Sequence, residues 1–98
     1  MKEWDPVDWF IIEMATKGLL EILESDLPNP AQCIIELENI YGCLPADRDF
    51  SLLRMLIGFT IYKLLETVDS QILDPKTFNV ITELVIRIKS QILDVQNP

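Results

Sequence analysis

The stretch DPKTFNVITELVIRIKSQILDV, residues 74–95, decides how the chain is read. It opens on Asp74-Pro75, an N-cap followed by the first helical position. The Asx oxygen accepts from orphan backbone N–H groups, and proline has no N–H to waste and a preset φ. Phe78, Ile81, Val85, Ile88, Ile92 and Val95 then follow in alternating steps of three and four, the spacing of a heptad seam. Val80, Leu84 and Ile86 lie off that seam and add apolar surface. The spacing predicts a helix from Pro75 to about Val95.

The same junction recurs at Asp5-Pro6 and Asn29-Pro30, marking two earlier starts. The first helix is expected from Pro6 to about Ser25, with Asp8 in its first turn at the positive end of the dipole. Val7, Phe10, Ile11, Met14 and Ile22 form its apolar stripe, widened by Leu19, Leu20 and Leu23. The second is expected from Pro30 to about Tyr41, with Ile34, Leu37, Ile40 and Tyr41 in helical rhythm. Gly42 stands where a left-handed C′ residue belongs.

After a loop over 43–48, Asp47 or Asp49 can cap a third helix placed from about Phe50 to Ser70. Its apolar residues run nearly all round: Leu52, Leu53, Met55, Leu56, Ile57 and Phe59, then Ile61, Tyr62, Leu64, Leu65 and Val68. Such a helix is expected to be the central one, buried on several sides. Gly58 in its middle costs about 1 kcal/mol relative to Ala, which a close helix crossing would offset.

A chain of 98 residues that is 49% hydrophobic with only three glycines has material for one core and little for many hairpins. The expected fold is all-α: a single-domain four-helix bundle, or an irregular helical bundle with short loops, over residues 1–98. The longest uncharged apolar stretch, Met55 to Tyr62, is far short of the roughly 20 residues of a membrane span. The N-terminus is acidic and has no small-residue cleavage site, so it does not read as a secretory leader. Cys33 and Cys43 make neither a disulfide framework nor, without histidine, a zinc site. Both are expected to be reduced, one of them in the core, in a cytoplasmic protein.

Absence of histidine removes most triads, general bases and zinc sites. Gly18, Gly42 and Gly58 are isolated, so no phosphate loop exists. Glu21 and Glu24 are i, i+3 neighbours, but Glu36 and Glu38 share no face, and no calcium-loop spacing occurs. The expectation is a non-enzyme without metal or cofactor.

Charge points elsewhere. The formal net charge is −8, which argues against nucleic acid and anionic membrane as partners. Residues 1–49 hold eleven acids against three bases, whereas residues 50–98 hold five of each, so the whole excess belongs to the first half. That segregation suggests an acidic face made from Glu13, Glu21, Glu24, Asp26, Glu36, Glu38, Asp47 and Asp49, for a basic protein partner. Trp4 is a candidate aromatic anchor at the same end, and Trp9 is expected in the core. Small size, missing chemistry and one-sided acidity fit an immunity or antitoxin-type protein that neutralises a basic, nuclease-like toxin. The alternative is a homodimeric helical scaffold or adaptor, joined through the third or fourth helix.

Overall fold

The computed structural model describes residues 5–69 and 73–96, with side chains up to Gln91. All three Asx-Pro junctions start helices. Asp5 Oδ1 accepts from the Val7 N–H at 2.9 Å, and Asn29 Oδ1 from Ala31 and Gln32 at 2.8 and 3.3 Å. Asp74 Oδ1 accepts from the Thr77 N–H at 2.8 Å, and its other oxygen accepts from the Thr77 hydroxyl at 3.2 Å. The helices they open are α1 (Pro6–Glu24), α2 (Pro30–Cys43) and α4 (Pro75–Gln96). Asp47 caps only a short 3-10 turn, Arg48–Phe50, which leads into α3 (Ser51–Glu66).

These elements form an all-α four-helix bundle. α1 packs on α2 and α4, and α3 packs on the same two, while among the described residues the backbones of the diagonal pairs α1–α3 and α2–α4 do not approach closely. At one end, the Leu73 N–H donates to the Pro28 carbonyl at 3.1 Å, tying the α3–α4 connection to the α1–α2 loop. At the other end, the Gln91 amide donates to the Asp49 carbonyl at 3.3 Å, and the Trp9 and Phe50 rings sit 6.1 Å apart. Trp9 is partly buried against the core, as expected of it.

Each helix contributes one stripe to the core. α1 offers Ile12, Ala15, Thr16, Leu19 and Leu23; α2 offers Pro30, Cys33, Ile34, Leu37 and Ile40; α3 offers Leu53, Ile57, Thr60 and Leu64. On α4 the stripe is Thr77, Ile81, Leu84, Val85 and Ile88. The threonines in these stripes do not orphan their hydroxyls. Thr16 and Thr60 donate to the carbonyls of Ile12 and Leu56, one turn back, at 2.7 and 2.8 Å.

Several expectations are corrected. In a square bundle no helix is central, and α3 turns its outer face to solvent: Leu52, Met55, Phe59, Tyr62 and Leu65 are 51–65% exposed. On α1 the core stripe is rotated from the one expected, with Ile12, Ala15 and Thr16 buried beside Leu19 and Leu23 where the bundle closes on α1. Val7, Phe10 and Met14 are left outside. Leu84, expected off the seam of α4, is buried, while Ile92 and Val95 lie outside the described side chains. Gly42 has no positive φ and lies inside α2, which runs on to Cys43 with Leu44 as an extended C-cap. Gly58 is at no close crossing: a Cβ there would meet only the Tyr41 ring, at 3.9 Å. α3 ends at Glu66, with a turn over 67–69.

Candidate functional site

Two surfaces of the bundle offer something to a ligand. The first is the outward groove between α1 and α2, about 280 Å³, lined by Gly18, Ile22, Gln32, Ile35 and Glu36. Antiparallel packing sets Gly18 of α1 beside Glu36 of α2. A Cβ built on Gly18 would collide with the Glu36 carboxylate, so the glycine leaves room for that side chain to lie across the groove. Ile22 and Ile35 give the groove an apolar wall, and Ile35 is exposed. Glu21 follows Gly18 by three residues and stands exposed one turn on, beyond the lining residue Ile22. The arrangement is a carboxylate at the end of a greasy slot, which suits the aliphatic stem and charged head of a lysine or arginine.

Of the eight acids singled out in the sequence, the structure brings Glu36 to this groove, while Glu21 stands exposed on α1 outside its lining. Glu24 and Asp26 stand exposed at the α1–α2 loop end. Glu13 lies eight residues before Glu21, on the flank of α1 turned from α2. Glu38, two residues from Glu36 and so about 200° round the helix, faces away from the groove. Asp47 and Asp49 are at the opposite end, where the Asp49 N–H donates to Asp47 Oδ1 at 3.4 Å. Trp4 lies outside the described residues.

The second surface is the outer face of α3. Leu52, Met55, Phe59 and Tyr62 succeed one another in steps of three, four and three, and among the described residues no helix covers them. Where α3 meets α2, the missing side chain of Gly58 opens a shallow apolar groove of about 450 Å³, lined also by Tyr41, Arg54, Met55, Phe59 and Tyr62. Arg54 is fixed there. Its guanidinium donates to the Leu44 carbonyl at 3.1 Å and the Tyr41 carbonyl at 3.5 Å, and stacks 4.5 Å from the Tyr41 ring centroid. It thereby satisfies carbonyls that the end of α2 leaves open. A neighbouring depression past Met55 is lined by Asp47, Arg48 and Ser51. The one sequence signal for this surface was the apolar circumference of α3, which marks an uncovered face as readily as a central helix.

The thiols do not look like nucleophiles. Burial beside Glu36 pushes Cys33 up to about 11. Cys43 is also raised, by desolvation and by the Asp8 carboxylate, which accepts its hydrogen bond. Both shifts favour the inert thiol over the reactive thiolate. Among the described residues no three Cys, Asp or Glu side chains are grouped to hold a metal ion, and no helix is long and apolar enough to cross a membrane. No protein-family model, curated protein or solved structure matches this chain, so a functional reading rests on the two surfaces just described.

Proposed function

We propose that this chain is a non-catalytic protein-binding domain whose α1–α2 half engages a basic protein. The observation that carries the reading is the α1–α2 groove, where Gly18 makes space for the Glu36 carboxylate between Ile22 and Ile35. A partner's lysine or arginine entering it would lay its stem on the isoleucines and its head on Glu36, with Glu21 exposed one turn on. The remaining acids of residues 1–49 contribute a long-range field. They steer a basic partner towards this half and raise its association rate.

Nuclease-like toxins are basic because they bind phosphate. A small acidic immunity or antitoxin-type protein that covers such a surface is therefore the partner relationship the charge layout favours. The test is a titration of the intact protein against a basic candidate, beginning with the product of the adjacent gene. Reversal of Glu21 and Glu36 to lysine is expected to weaken binding by tenfold or more, mainly by faster dissociation. Reversal of Glu13 and Glu24, away from the groove, is expected to slow association and to reduce its salt dependence. Binding that ignored the Glu21 and Glu36 changes would rule out the groove.

A further inference from the structure

The outer face of α3 is independent of that reading, because Leu52, Met55, Phe59 and Tyr62 lie in the half of the chain where charges cancel and none of them lines the α1–α2 groove. Its exposed residues Leu52, Met55, Phe59 and Tyr62 are uncharged and more than half exposed. Their spacing of three, four and three is a palindrome: read from either end of the helix it is the same. A seam with that property matches its own reverse, layer on layer, which is what a two-fold contact between identical surfaces requires.

We propose that a second copy of this chain docks antiparallel along α3, about a two-fold axis near Ile57. In this register Leu52 faces Tyr62 of the second copy, and Met55 faces its Phe59. Symmetry repeats each layer once. Met55, Gly58, Phe59 and Tyr62 stand at i, i+3, i+4 and i+7, the four corners of a knobs-into-holes site. Gly58 deepens that hole, and the groove it opens against Tyr41 is large enough to take the flexible side chain of Met55 from the second copy.

Charge selects the direction. Glu66 lies four residues beyond Tyr62, and Arg48 lies four before Leu52; both are exposed. The antiparallel register that matches these four apolar residues also sets Glu66 of one copy towards Arg48 of the other, at both ends, and leaves Leu65 beside Asp49. It further sets each Glu66 near the positive, N-terminal end of the opposing α3. A parallel pairing would instead place Glu66 beside Glu66 and Arg48 beside Arg48. The face also suits two molecules of net charge −8, because contact there keeps the acids of α1 and α2 away from the interface and leaves only Asp47 and Asp49 beside Arg48 at its ends.

Sedimentation equilibrium of the full chain from micromolar to several hundred micromolar tests the proposal. The wild type is expected to be dimeric. Phe59→Glu is expected to be monomeric with unchanged helical circular dichroism, since Phe59 is exposed and outside the core. Arg48→Glu and Glu66→Arg are each expected to weaken the dimer roughly tenfold, because each turns two attractive end contacts repulsive. The double exchange is expected to recover wild-type affinity to within about threefold. A monomeric wild type at the highest concentration, or a dimer that survived Phe59→Glu, would overturn the proposal. Single exchanges that weakened the dimer without recovery in the double would overturn the antiparallel register. None of these outcomes bears on the basic partner, whose binding to the α1–α2 groove is read separately with Glu21 and Glu36.

Discussion

At the scale of single residues, the glycines separate stability from function. Gly42 sits exposed in the last turn of α2, and a Cβ there would meet nothing within 4 Å. Gly58 sits in the middle of α3, where a Cβ would make an ordinary contact with the Tyr41 ring. Neither needs a left-handed backbone. Each therefore gives up helix propensity, about 1 kcal/mol relative to Ala in a helix interior, for no steric reason within the monomer. Gly42→Ala and Gly58→Ala are both expected to stabilise the bundle by about 0.5–1 kcal/mol each, seen as a higher urea midpoint at unchanged slope. Their effects on association should differ: Gly42→Ala leaves it alone, whereas Gly58→Ala makes the α3 hole shallower. A destabilised Gly58→Ala would mean that the groove against Tyr41 is tighter than 3.9 Å implies.

At the scale of elements, what the sequence made legible was local. Asp5, Asn29 and Asp74 each stand directly before a proline, and a cap depends only on its own next three residues, so these starts could be read without the fold. The core stripe of α1 could not. Val7, Phe10 and Met14 are as apolar as Ile12, Leu19 and Leu23, and which set faces inward is settled by where α2 and α4 lie. The end of α2 was misjudged for a similar reason. Gly42 offered a local C-cap, but Arg54, ten residues beyond Leu44, reaches back to the Leu44 and Tyr41 carbonyls instead. Of the acids, residue type and charge segregation were visible, whereas the meeting of Glu36 with Gly18 needed the helix register. Arg54 carries a checkable weight. Arg54→Ala removes two carbonyl contacts and the stacking on Tyr41 together, and is expected to destabilise the bundle by about 1–2 kcal/mol in urea unfolding. Arg54→Lys should recover less than half of that, because both carbonyls are reached from one guanidinium nitrogen while the planar group stacks on Tyr41, and an ammonium has no plane to stack. If Arg54→Ala changed nothing, the end of α2 would be satisfied by water and the contact would carry no weight.

At the scale of the whole molecule, two opposing quantities meet on one small surface. A net charge of −8 keeps copies apart, while Leu52, Met55, Phe59 and Tyr62 on α3, and Val7, Phe10 and Met14 on α1, favour contact. α1 and α3 occupy opposite corners of the bundle. The α1 patch runs into Lys17 and Glu21 and lies in the acidic half, so repulsion protects it at neutral pH in a way that does not apply to α3. Salt and acid should therefore act differently on the two contacts. Raising NaCl from about 0.05 to 0.5 M at pH 7 shortens the Debye length from roughly 14 to 4 Å. That screens the repulsion between acidic halves and the Arg48–Glu66 attraction together, so the α3 dimer is expected to change by no more than a few-fold while a basic partner loses affinity. Lowering the pH towards the isoelectric point of about 4.3 removes the charge itself. Protection of the α1 patch is then lost, and species larger than a dimer are expected, with a solubility minimum near that pH. Phe59→Glu should abolish the dimer at neutral pH yet leave this acid-induced assembly in place, whereas Phe10→Glu should do the reverse. Sedimentation velocity of both variants across salt and pH separates the two. If one substitution suppressed both kinds of assembly, the apolar residues of α1 and α3 would not be acting as separate surfaces.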